Sequence, residues 1–254
     1  MLQRALATDE AELRVVNTGV SGLRVANHLA TLRVISDLQP ALVLFLLGAN
    51  DWNKHIKDHF EAQRESWRPP PLRYTLVGQA ADGLLVSPLR RWLTGRSWSD
   101  ITDPSTVYQG KQRDFTRTSH HVLRPVQVAP GYAGDLAQLG ATCRALRIRC
   151  LFLTQSHAYR PETLAALRER IWMNPPFADY ALDLQSMAHI ASLYNDHLVR
   201  FAGQAGHGLC DVAAAVPPSA ELFLDEIHIT DAGARMLATL LLTCVRQMRQ
   251  GTGP

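Results

Sequence analysis

The run Ala41-Leu42-Val43-Leu44-Phe45-Leu46-Leu47 is apolar at every position and lies between Gln39-Pro40 and Gly48-Ala49-Asn50-Asp51. A strand without a polar face has to be covered on both sides, which is the condition of a parallel sheet between helices. The whole apolar stretch, Pro40 to Ala49, is about half of the ~20 residues a membrane helix needs, so it reads as a buried strand and not as a transmembrane segment.

The flanking sequence fits that requirement. Val25, Leu29, Leu32 and Ile35 recur at helical spacing before Gln39-Pro40 stops the helix. The β-branched run Leu13 to Val16 predicts an earlier strand. Residues 133–146 predict a helix feeding a strand over Ile148–Thr154, with another helix from near Pro161 and a proline-broken loop, MNPPFADY. An amphipathic helix over 182–202 leads through Gly206 and Gly208 to a strand over Leu209–Val212. A last helix takes Thr230 as its N-cap and runs to Arg249. Alternating strands and helices predict a layered α/β fold with a parallel sheet, and ligands in such folds sit at the carboxyl ends of the strands.

With 254 residues, 46% of them hydrophobic, the chain is long enough for one large domain over 1–254. Residues 52–130 fit the alternation poorly. They hold four of the five tryptophans and many arginines, and form an expected insertion that is either a roof over the site or a surface decoration. The net charge of +3 comes from scattered basic residues, which does not suggest a nucleic-acid partner. Cys143, Cys150, Cys210 and Cys244 show no CxxC or Cys/His metal spacing and are expected to be buried thiols. The first residues carry no apolar signal core, so a cytoplasmic location is expected if the start is complete.

Three places carry candidate chemistry. Asp225 precedes His228 by three residues, a spacing at which the carboxylate accepts the Nδ1–H of the imidazole and leaves Nε2 as a general base. Asn50 follows a strand, where its amide can face a developing oxyanion. Gly22, in Asn17-Thr18-Gly19-Val20-Ser21-Gly22, offers a backbone N–H with no Cβ in the way.

In this order, each at the end of a predicted strand, the three resemble the blocks of the SGNH (GDSL) family of serine ester hydrolases. Residues 17–22 match its second block, Gly48-Ala49-Asn50-Asp51 its third and Asp225-x-x-His228 its fifth. Tyr194-Asn195-Asp196, Gly206 and Asp211 are similar to the family's text before that block. The resemblance implies a flavodoxin-like three-layer α/β/α sandwich. It also implies hydrolysis of carboxylic esters, with Gly22 and Asn50 as oxyanion donors, His228 as base and Asp225 as its orienter. The substrate would be a small-molecule, lipid or sugar ester, with no metal or organic cofactor.

The family's first block, Gly-Asp-Ser at the end of the first and central strand, has no counterpart in the 21 residues before Gly22. Ser21 stands beside a donor, where the family has no nucleophile, and is not assigned that role. The expectation is therefore an N-terminally truncated sequence that lacks this strand and could have lost a signal with it. Met1 to Ala7 would be the helix that follows the strand. The alternative is an inactive member of the fold that binds acyl or carbohydrate ligands. An unrelated flavodoxin-like domain would need the three blocks to match by coincidence.

Among weaker candidates, His120-His121 reads as an exposed loop pair and Gln155-Ser156-His157 as a polar loop at a sheet edge. Asn17 and Asp51 are expected to hold their own turns through Asx-type bonds.

Overall fold

A computed structural model of the chain describes residues 14–20, 22–62, 120–175, 178 and 180–249. The chain parts into two units, Met1–Lys57 with Thr118–Pro254, and Asp58–Arg117. Everything below concerns the first.

Its elements in chain order are α1 (Val25–Ser36), β1 (Val43–Leu46), α2 (Ala49–Ala62, which runs on past Lys57), β2 (His120–His121), α3 (Pro130–Ala145), β3 (Cys150–Leu153), α4 (Ala165–Arg168), β4 (Ala181–Leu182), α5 (Leu184–Ala205), β5 (Gly208–Cys210), α6 (Val212–Ala215) and α7 (Asp231–Arg249). Three strands form a parallel sheet in the order β1-β3-β5, with Val43 opposite Cys150 and Leu151 opposite Gly208. The expected α/β architecture is present.

Every residue of β3 is buried, as a continuous apolar strand covered on both faces should be. On one face Phe152 stacks on Phe45 at 5.5 Å between ring centroids and meets Phe201 of α5 edge-on at 5.4 Å. On the other, Leu151 and Met248 of α7 close over Gly208, where an added Cβ would lie 2.6 Å from the Met248 sulfur. Helices therefore cover both faces of the sheet. Asp183 caps α5 by accepting the Ser186 N–H, and Gly206, at φ 65°, ends that helix in the left-handed conformation that glycine adopts at no steric cost.

Four expectations change. Arg14 to Val16 form no strand, and Val15 and Val16 are exposed. A strand at that place in a flavodoxin-like order pairs only with the strand before it, and among the described residues no strand lies on the edge of β1 away from β3. The helix expected near Pro161 begins at Ala165, after a turn. His120 and His121 stay exposed but form a short parallel ladder with Ala181 and Leu182.

The cysteines are not thiols: Cys143 is bonded to Cys150 and Cys210 to Cys244. Sequence spacing hid this, because packing of α3 on β3 and of α7 on β5 brings the Cα atoms to 6.4 and 5.8 Å, within disulfide reach. Met1 to Ala7, Ser21 and most of the expected insertion, residues 63–119, lie outside the described residues.

Candidate active site

The chain leaves β1 at Leu47 and enters α2 through Gly48, whose φ of 129° suits glycine alone. A side chain there would also press on Trp52 at 3.3 Å. This turn puts Asn50 in the first turn of α2, half-buried, with Nδ2 donating to the Leu23 carbonyl at 2.8 Å. Asn50 is thus tied to the loop that begins at Gly22. Gly22 is exposed with φ 80°, nothing lies within 4 Å of its missing Cβ, and its N–H makes no hydrogen bond among the described residues.

The neighbouring Asp51 behaves differently from its expected Asx turn. Both carboxylate oxygens accept the Val25 N–H, each at 3.3 Å, so Asp51 caps the start of α1 from another helix. Burial raises its pKa to about 6 against the pull of the Val25 N–H and Arg24. Asn17 does form the expected turn, accepting the Gly19 N–H at 2.9 Å.

The second half of the site is a hairpin before α7. Phe223 and Ile229 bridge antiparallel, Leu224 N–H donates to His228 O at 2.8 Å, and Thr230 N–H donates to Leu222 O at 2.9 Å. Thr230 caps α7 as expected, its Oγ1 accepting the Gly233 N–H at 3.1 Å. Gly233 is required here, since a Cβ would fall 2.3 Å from the Leu222 carbonyl oxygen.

Within the hairpin Asp225 is 1% exposed and points both oxygens at His228's side of the loop. Oδ1 accepts the Ile227 and His228 N–H groups at 2.9 and 2.7 Å, and Oδ2 lies 2.7 Å from His228 Nδ1. Burial pushes the Asp225 carboxyl up, but the hydrogen bond and charge of His228 and the two N–H groups outweigh it and hold it below its ordinary value. The same hydrogen bond raises the His228 imidazole, with burial opposing and the Asp225 and Glu226 charges adding. The His228 side chain is 62% exposed, and its Nε2 makes no hydrogen bond among the described residues. An imidazole held this way is equipped to take a proton through Nε2.

The segment after β3 joins the two halves. Gln155 and Asn195 exchange two hydrogen bonds, Gln155 N–H to Asn195 Oδ1 at 2.9 Å and Asn195 Nδ2 to Gln155 O at 3.0 Å. Thr154 Oγ1 donates to Asp211 Oδ1 at 2.7 Å. Gln155 lies against Gly48, and Ala158 N–H donates to Glu226 O at 2.8 Å. Asn195 and Asp211 therefore act as braces of this segment.

Gln155, Ser156 and His157 are buried at the exit of the central strand of the sheet, not at an edge as expected. The His157 ring stands between Trp52 and Tyr159, at 6.3 and 6.0 Å. Burial and the Arg160 charge push its pKa down to about 4, so it is neutral. Its Nδ1 is buried without a hydrogen-bond partner among the described residues. No group of three or more His, Cys, Asp or Glu among the described residues is arranged to hold a metal, and no described helix is long and apolar enough to cross a membrane.

The parallel sheet is joined by the Asn50 turn after β1 and by the Asp225–His228 pair in the hairpin before α7, in an α/β fold. Residues 1–236 match the GDSL-like lipase/acylhydrolase family, and the chain belongs to it, an ester hydrolase by class.

Among solved structures, the chain is similar in fold to LAE5, an α/β hydrolase from the metagenome of Lake Arreo, Spain, at 20% identity and a TM-score of 0.51, covering 96% of this chain and 78% of that one. It is also similar to Axe2, an acetylxylan esterase from Geobacillus stearothermophilus (16% identity, TM-score 0.51, 96% and 78% covered). The acetyl xylan esterase AlAXEase is a third (12% identity, TM-score 0.51, 96% and 88% covered). No curated protein sequence matches the chain.

Proposed function

We propose that His228 is the general base of a serine-type ester hydrolase, with Asp225 as its orienter and the Gly22 N–H and Asn50 amide as oxyanion donors. One observation supports this most: the 2.7 Å contact of Asp225 Oδ2 with His228 Nδ1, which leaves Nε2 of an exposed ring without a hydrogen bond among the described residues. Asn50 has a second Nδ2 hydrogen beyond the one given to Leu23, and the tether keeps its amide beside the Gly22 loop. In the reaction a seryl hydroxyl, which the family's Gly-Asp-Ser block would supply, attacks the ester carbonyl while Nε2 takes its proton and the two donors meet the charge on the carbonyl oxygen; His228 returns the proton to the leaving alcohol, and water, deprotonated in turn by Nε2, releases the acid and restores the serine. The substrate is a small-molecule or sugar ester. Acetylated sugars are the first to try, since two of the similar folds are acetylxylan esterases.

A second reading is favoured by the lack of a Gly-Asp-Ser ahead of Gly22 in the 254 residues. In it this chain binds an acyl or carbohydrate ligand with little turnover. Fluorophosphonate labelling with peptide mapping tests whether these residues hold a nucleophile. No adduct is expected on the 254-residue chain, and an adduct at Ser21 would make that residue the nucleophile.

A further inference from the structure

Glu226 lies between the two members of the Asp225–His228 pair in sequence and points elsewhere. It is 7% exposed, and its Oε2 accepts the Trp172 N–H at 3.0 Å, across 54 residues of chain. The Trp172 carbonyl accepts the Tyr159 hydroxyl at 2.9 Å. Residue 172 is therefore held at both backbone polar groups by buried side chains. The Glu226 carbonyl accepts the Ala158 N–H at 2.8 Å, which brings a third segment into the same knot.

We propose that Glu226 is a positioning residue of the Asp225–His228 pair: its buried carboxyl clasps the Ile171–Met173 segment to the hairpin that carries the pair. The inference rests on the role proposed for that pair.

A carboxyl in this place has strong reasons to keep its proton. Removing it from water and setting it beside the Asp225 charge both disfavour a second negative charge, and the Trp172 N–H and the His228 charge only partly offset them, so burial carries Glu226 up to about 8. The groups that face it are Asp225 and His228 on its own loop, the Tyr159 phenol from the segment after β3 and the Trp172 N–H. Tyr159 is itself raised well above its ordinary value by burial and by the Glu226 and Asp225 charges, so it remains a donor. Arg160, the nearest cation in that segment, turns its guanidinium to the Ala213 carbonyl and to Glu162. Protonated Glu226 spares His228 a second carboxylate. Once it ionises, its charge adds to that of Asp225 and holds the imidazole protonated to higher pH, which withdraws the base.

The test uses the 254-residue chain with labelled histidine, the His228 ring resonance being assigned through its loss in His228→Gln. In the native chain this resonance is expected to titrate with a second, smaller inflection near pH 8. Glu226→Gln keeps an acceptor for the Trp172 N–H and is expected to remove that inflection. Glu226→Ala loses the clasp as well and is expected to raise Trp172 amide exchange at least tenfold, where Glu226→Gln leaves it near native. A single inflection in the native chain, two in Glu226→Gln, or an unchanged Trp172 amide in Glu226→Ala overturns the proposal. None of these readings needs turnover, so the clasp stands or falls separately from the hydrolytic role, which the loss of esterase activity in His228→Ala tests.

Discussion

Asp225 holds His228 twice, through the ring Nδ1 at 2.7 Å and through the backbone N–H at 2.7 Å. One carboxylate thereby fixes both where the imidazole starts and which nitrogen it leaves free. The pair raises the His228 imidazole and lowers the Asp225 carboxyl. Because the base has to be neutral, ester hydrolysis should rise with pH through an inflection above the ordinary histidine value of about 6.5. Asp225→Asn removes the charge and lets the ring adopt the wrong tautomer. Its kcat is expected to fall by about 10⁴, with the inflection moved down, as read from a pH–rate profile.

Asn50 has two jobs that substitution can separate. Asn50→Ala deletes the proposed oxyanion donor, and kcat is expected to drop by about 10²–10³ with little change in KM. Loss of the bond to the Leu23 carbonyl should also loosen the Gly22 loop, which amide exchange at residues 22–25 would detect.

Asp51 is predicted to cost stability at neutral pH. Its folded pKa of about 6 lies above its ordinary 3.8, so the folded chain binds the proton more tightly than the unfolded one. Its contribution is most favourable below the unfolded value and is lost as pH rises from about 4 to about 6, an effect on the order of 2–3 kcal/mol. Asp51→Asn keeps an acceptor for Val25. Thermal unfolding should show the variant matching or exceeding the native chain at pH 7, and losing that advantage near pH 4.

The disulfides should be visible in the intact mass under non-reducing conditions as two bonds. Cys210–Cys244 closes a 34-residue separation and Cys143–Cys150 one of 7. Loop-closure entropy then assigns the longer bridge about 3–4 kcal/mol and the shorter about 2. Cys210→Ser with Cys244→Ser should lower Tm more than Cys143→Ser with Cys150→Ser.

Much of this architecture is legible in the sequence because burial leaves a pattern. The apolar run at Ala41–Leu47 marks a strand covered on both faces, the stripes of α1, α5 and α7 show which side of each helix is inside, and Asp-x-x-His carries its geometry in its own spacing. What the sequence hides are bonds between distant segments. The Asp51 cap on α1, the Asn50 tether to Leu23 and the Cys210–Cys244 bridge span 26, 27 and 34 residues, and local pattern contains no record of them. Arg14–Val16 marks the opposite error: its β-branched residues favour a strand, yet a strand exists only with a partner. Glu226 leaves no mark in the sequence because an acid inside a loop reads as solvated, and only the packed Trp172 segment buries it.

The general-base role of His228 is tested most directly by p-nitrophenyl acetate hydrolysis at pH 8 with a form of the protein that carries a Gly-Asp-Ser block ahead of Gly22, compared with the same form bearing His228→Ala. The parent is expected to exceed buffer, and the variant to lose several orders of magnitude of the enzymic rate. A variant rate near that of its parent would contradict the assignment.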